Sequence, residues 1–174
     1  MTTTVSKANS ISKRHADGGA QQFVASPAFA QSLQRVLADL IELHLQGKQA
    51  HWNLVGHNFR DLHLQLDDIV DIAREGADTI AERMRALAVS PDGRSDTVAA
   101  STSLPVFPAG EYDTRAVAEL ITSRLREAVT TMREVHDTVD AEDPTTSDLL
   151  HALIAALEKQ AWMLSTEIAV ASQA

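Results

Sequence analysis

Apolar residues recur at helical spacing through four long stretches of the chain. The first opens at Ser26-Pro27 and shows Phe29, Leu33, Val36, Leu37, Leu40, Ile41 and Leu45. This is the i, i+3, i+4 rhythm of an amphipathic helix. Serine suits an N-cap and proline the first helical position, so the helix starts there and is expected to reach Asn53. Gly56 breaks the pattern. A second helix opens near Asn58 and carries Leu62, Leu66, Ile69, Val70, Ala73, Ala77, Ile80 and Met84 to about Val89, before Pro91-Asp92-Gly93. Residues 94–112 form a long connection. Its "RSDTVAASTS" has room for a short helix, while Pro105, Pro108 and Gly110 preclude a long one. A third helix starts at Asp113 or Thr114, runs through Val117, Ile121, Leu125, Met132 and Val139, and stops at Asp143-Pro144. The last begins near Ser147 and continues through Leu150, Ile154, Leu157, Leu164 and Ile168. No convincing strand alternation is present.

Four helices of roughly 25–30 residues, joined by short, long and short connections, predict an all-α four-helix bundle with one long crossover. That is the ferritin-like arrangement, here with a short extra helix in the crossover. Residues 1–25 lack the pattern and are expected to form a flexible N-terminal tail, leaving 26–174 as the domain. Each helix is apolar over a wide arc, which predicts an oligomer.

Composition narrows the function. A hydrophobic content of 44% is ordinary for a folded domain. No apolar run is long enough for a membrane span, and the N-terminus has no signal-like core, so a cytoplasmic location is expected. The chain has no cysteine, which rules out disulfides, thiolate metal sites and iron–sulfur clusters. Its net charge is −9, favouring cations over nucleic acid. Lys7, Lys13 and Arg14 outnumber Asp17 in the tail, so a weakly basic arm precedes an acidic body.

The chemistry concentrates on the second helix. With His63 at 0°, Asp67 falls at about 40°, Asp78 at about 60° and Glu82 at about 100°, all on one stripe. His63/Asp67 and Asp78/Glu82 are each i, i+4 pairs. Imidazole with carboxylate suits iron, manganese or zinc. Asp67 and Asp78 stand about 16 Å apart along the axis, so no single ion bridges both pairs within one chain. Two copies of the helix packed antiparallel would bring His63/Asp67 of one against Asp78/Glu82 of the other. His51, just before the break, could fold back beside His63. The plain alternative is a solvated acidic face. Glu-x-x-His, His-Glu-x-x-His, Walker A and Gly-x-Ser-x-Gly motifs are all absent. His44 and His136 read as structural, His151 as exposed, and His15 lies in the tail.

The stretch "KQAHWNLVGHNFRDLHLQLDDIVDIAREGADTIAERM" resembles the signature of the Dps family, the DNA-binding proteins from starved cells, which are mini-ferritins. The motif is His-Trp-Asn, a second His twelve residues after the first, Asp four further on, then Asp and Glu eleven and fifteen beyond that. The likeness extends over residues 26 to 170, with "EKQAWML" in the last helix. It implies hollow dodecamers with di-iron ferroxidase centres at two-fold interfaces. His51, His63 and Asp67 would come from one subunit, Asp78 and Glu82 from its partner. Fe(II) would be oxidised there to Fe(III), preferentially by hydrogen peroxide, and stored as mineral. Trp52 would serve as a one-electron relay or as interface packing. Asp140, Glu142, Asp143 and Asp148 would line a three-fold pore, with helix-dipole complementarity and a solvated turn as the alternative. DNA contacts would come from Lys7, Lys13 and Arg14, making binding salt-sensitive and tail-dependent. His57 and Asn58 depart from the Gly-Pro that many relatives carry, which is read as altering only the turn. The rival reading is a nucleoid-binding structural protein with a vestigial metal site. A di-manganese catalase is disfavoured by the missing Glu-x-x-His pairs.

Overall fold

In the computed structural model, which describes residues 23–171, Ser26 caps the first helix by accepting from the Phe29 amide (3.1 Å). The elements are α1 (Pro27–Asn53), β1 (Leu54–Val55), α2 (Phe59–Ala86), α3 (Ser95–Ser101), β2 (Tyr112–Asp113), α4 (Thr114–Glu142) and α5 (Pro144–Ala171). Helix α1 packs on α2 and α4, and α5 packs on α4 and α2. The heptad-like apolar positions meet at the centre, where Phe29, Leu40, Leu66, Ile80, Leu125 and Met132 are fully buried. Each such side chain contributes about 1.5–3 kcal/mol through loss of water contact. At Gly76 a Cβ would stand 2.7 Å from Leu153 Cδ2, so α2 and α5 touch there only because no side chain intervenes. No helix among the described residues is long and apolar enough to cross a membrane.

Two sequence expectations shift. Leu54–Val55 and Tyr112–Asp113 pair in parallel, a two-residue ladder too short to show alternation. The last helix begins at Pro144, not near Ser147. The reason is that Asp143-Pro144 opens α5 as well as closing α4. The Thr146 and Ser147 amides donate to the Asp143 carbonyl, the Thr146 hydroxyl donates to its carboxylate, and Pro144 takes the first helical position. Asp143 is therefore the only residue between the two helices.

The long crossover is tied down by buried polar groups. Asp39, 1% exposed on α1, accepts from the Thr102 hydroxyl (2.8 Å), the Ser103 amide (2.7 Å) and the Ser103 hydroxyl (2.6 Å). Arg124 on α4 donates to Gln46 Oε1 (3.2 Å) and to the Val106 carbonyl (3.1 Å), with its guanidinium 5.7 Å from the Phe107 ring centroid. Burial pushes the Arg124 pKa down.

At the α4–α5 corner, Arg83 reaches from α2 and donates to Asp143 Oδ2 (2.5 Å). Burial opposes ionisation of Asp143, but the bonds from Thr146 and Arg83 prevail and hold its carboxyl below the ordinary value. A depressed carboxyl pKa contributes stability above the ordinary value and loses it as pH falls through the folded one. Asp143→Asn is accordingly expected to lower stability by about 2 kcal/mol at neutral pH. That deficit should close as pH drops below 3.8, the ordinary aspartate value. Urea midpoints of both proteins across the acid range check it.

Candidate metal centre

The bend between α1 and α2 builds the site. Gly56 (φ +116°) and Asn58 (φ +59°) take left-handed backbone, and Thr114 Oγ1 anchors the turn by donating to the His57 carbonyl (2.8 Å). The His57 side chain is exposed. Helix α2 therefore folds back along α1, bringing His63 against His51. The two histidines form a reciprocal clasp. His51 Nδ1 donates to the His63 carbonyl (3.1 Å), and His63 Nδ1 donates to the His51 carbonyl (3.2 Å). Their rings stack with centroids 3.6 Å apart, and Phe59 stacks on His63 at 5.1 Å. With both Nδ1 protons engaged, each Nε2 presents a lone pair suited to a metal. Asp67, one turn further along α2, completes a set whose ligand atoms lie within 4.8 Å of one another. Its Oδ1 also stands 3.2 Å from His51 Nδ1.

A fourth side chain, not singled out from the sequence, enters here. Lys48 Nζ donates to Asp67 Oδ1 at 2.7 Å. The Lys48 hydrogen bond, aided by the nearby His51, Lys48 and His63 charges, holds the Asp67 carboxyl below its ordinary value against the effect of burial. Lys48 lies three residues before His51, but its contact with Asp67 spans nineteen residues, so no sequence spacing signals it. A cation bound by Asp67 must displace or share this ammonium. Lys48→Gln is expected to tighten divalent-metal binding at this set by about threefold, the ~0.7 kcal/mol of a part-exposed ion pair. Anaerobic equilibrium dialysis of both proteins measures it.

Asp78 and Glu82 do not join this set within the chain. Both are exposed, and neither side chain makes a hydrogen bond or ion pair among the described residues. Asp78 borders a groove lined by Leu37, Ile41, Ala77, Ala81 and Gly93. Trp52, beside His51 in sequence, is 69% exposed, and Leu45, Val55, Phe59 and Leu64 also leave apolar surface uncovered. One chain thus carries three candidate ligands where α1 bends into α2, and the other two candidates lie further along α2.

Of the acids expected near a pore, three have structural partners. Glu142 accepts from the Ser26 amide and hydroxyl, Asp143 pairs with Arg83, and Asp140 accepts from the Ser147 hydroxyl (2.6 Å). Asp148 is 85% exposed in its side chain. Lys7, Lys13, Arg14 and His15 lie outside the described residues.

Comparison with known proteins bears on this arrangement. A ferritin-like domain profile matches residues 30–174. The DNA protection during starvation protein of Agrobacterium fabrum is 34% identical over 137 residues, 78% of this chain and 85% of that one. The chain belongs to the ferritin-like Dps family. DNA protection during starvation protein 2 of Deinococcus radiodurans is 35% identical over 134 residues, which are 77% of this chain and 56% of that protein's length. The chain therefore spans a little over half of that relative. The solved structure of Dps from Microbacterium arborescens in the high iron form superposes with a TM-score of 0.78 at 35% identity, covering 84% of this chain and 99% of that one. The ferritin-like bundle expected from the helical pattern, with a short helix in its long crossover, is the fold observed.

Proposed function

We propose that this Dps-family chain oxidises Fe(II), preferably with hydrogen peroxide, at di-iron centres shared between subunits. The ferric product is stored inside a hollow dodecamer in the cytoplasm, and DNA beside it is protected because Fe(II) and peroxide are consumed together. The supporting observation is that the candidate ligands are split between the α1–α2 bend and the far part of α2. His51, His63 and Asp67 converge at one end, while Asp78 and Glu82 stand exposed and unpartnered among the described residues about 16 Å further along. An antiparallel second copy would supply what each end lacks.

The donors suit the reaction. Carboxylates are hard anions that favour Fe(III) over Fe(II), and imidazole suits both states. Two Fe(II) ions give one electron each. Together these cleave the O–O bond of one peroxide to two hydroxides, with no single-electron step that would release hydroxyl radical. Trp52, next to His51 in the chain and exposed, would relay a stray electron or pack at the subunit interface. The α4–α5 corner is the proposed route for Fe(II), through the potential of its acids. Glu142 and Asp143 are part-buried in their structural contacts, whereas Asp148 and Asp140, the latter despite its bond from Ser147, are exposed, so these two carry that role.

The test is anaerobic Fe(II) loading followed by a peroxide pulse, with Fe(III) absorbance recorded for the wild type and Glu82→Ala. Fast oxidation that the variant loses supports the reading. In the same assay, Asp140→Asn/Asp148→Asn is expected to slow uptake while a preloaded centre still turns over. Oxidation no faster than in buffer would overturn the proposal and favour the nucleoid-binding alternative.

A further inference from the structure

A second pair of histidines lies well away from the first, between α4 and α5. His136 Nε2 and His151 Nε2 face each other at 2.8 Å, with ring centroids 4.7 Å apart and planes tilted by 30°. The fourteen residues between them span the Asp143-Pro144 corner, so only the antiparallel packing of the two helices brings them together. Buried Val135, Val139, Leu150 and Ile154 fix that packing beneath them. The rings themselves reach solvent, with side-chain exposures of 26% for His136 and 57% for His151.

What surrounds the far nitrogens decides what the near ones can do. His136 Nδ1 stands 3.1 Å from Asp137 Oδ1, within hydrogen-bond reach. His151 Nδ1 stands 3.7 Å from Asp148 Oδ1, close enough to favour a proton on that nitrogen without a full hydrogen bond. A carboxylate beside Nδ1 selects the Nδ1–H tautomer and leaves Nε2 as a lone-pair donor, the usual outer partner of a metal-bound histidine. With both rings in this tautomer, two lone pairs point at one spot and repel unless a cation lies between them. We propose that His136 and His151 form a binding site for a borderline divalent transition metal, of which zinc is the type, with water completing the coordination. Two Zn–N bonds of about 2.0–2.1 Å at a tetrahedral angle separate the nitrogens by about 3.3 Å. The observed pair needs to open by only about half an ångström to reach that.

The site differs in kind from the centre on α2. It offers two neutral imidazoles and no direct carboxylate, which selects zinc, nickel or copper over Fe(II). It is complete within one chain, so it does not depend on the ferroxidase reading or on assembly.

The test is zinc binding by the full chain, measured by equilibrium dialysis against zinc alone followed by metal analysis. His136→Ala/His151→Ala should lose one zinc per chain, while His51→Ala should retain that zinc. Equal zinc content in the wild type and the double variant would overturn the site. If the double variant does not fold, wild-type crystals grown with zinc decide the matter at the zinc absorption edge. An anomalous peak between the two Nε2 positions supports the proposal. Its absence there overturns it and leaves a simple hydrogen bond in which one ring carries its proton on Nε2.

Discussion

Replacing His63 with alanine is expected to slow peroxide-driven Fe(II) oxidation on the order of 100-fold, without disassembling the protein. The change removes more than one ligand's worth of order. His63 supplies an Nε2 lone pair, and its Nδ1 bond to the His51 carbonyl is half of the clasp. Its ring lies between those of His51 and Phe59. Without it, His51 keeps a carbonyl acceptor but loses the stacking that sets its angle. Loss of an orienting partner alone weakens metal sites roughly 10–100-fold, and here a ligand goes as well. Stopped-flow absorbance gives the rate, and light scattering shows whether the oligomer persists. A variant that oxidises iron within about threefold of the wild type would remove His63 from the centre.

The second large effect concerns the crossover. Asp39→Ala is expected to lower stability by about 3–4 kcal/mol, the loss of several hydrogen bonds to a buried carboxylate. The Ser103 amide and hydroxyl and the Thr102 hydroxyl all donate to Asp39, and the Ser103 hydroxyl also contacts Thr131 Oγ1 (3.0 Å). Alanine leaves these groups facing a cavity. Urea unfolding at one fixed protomer concentration measures the change, since assembly makes stability concentration-dependent. A loss below about 1 kcal/mol would mean that water replaces the carboxylate and that the crossover is held chiefly by Arg124.

The helical rhythm made most of the fold legible. Ser26-Pro27 and Asp113 mark helix starts by side-chain chemistry that acts within three or four residues, and such local rules can be read directly. Asp143-Pro144 was harder, because proline ends one helix and begins another by the same missing amide. The ladder between Leu54 and Tyr112 joins segments far apart in sequence through two residues each, too few for a period to appear. In the site, His51, His63 and Asp67 were visible as a spacing. Lys48 was not, since its partner stands nineteen residues away and the contact exists only once the bend has closed. The acids near the corner showed the converse limit. A sequence displays charges but not their partners, and Glu142 and Asp143 are occupied by Ser26 and Arg83. His136 and His151 looked like separate structural and surface residues until the corner set them face to face.

That one-residue corner also governs how the protein tolerates changes of length. An extra residue beside Asp143 has no loop to absorb it, so it would turn all of α5 by about 100° about its axis. Ser147 would swing away from Asp140, Thr146 from Arg83 and His151 from His136, and Leu150 would leave the core. The stretch from 108 to 111, beyond the Asp39 and Arg124 anchors, behaves in the opposite way, because added residues there can bulge outward without altering any helix register. A peptide tag or cargo-binding loop grafted between Pro108 and Glu111 should therefore be accepted, whereas the corner admits substitution but not insertion.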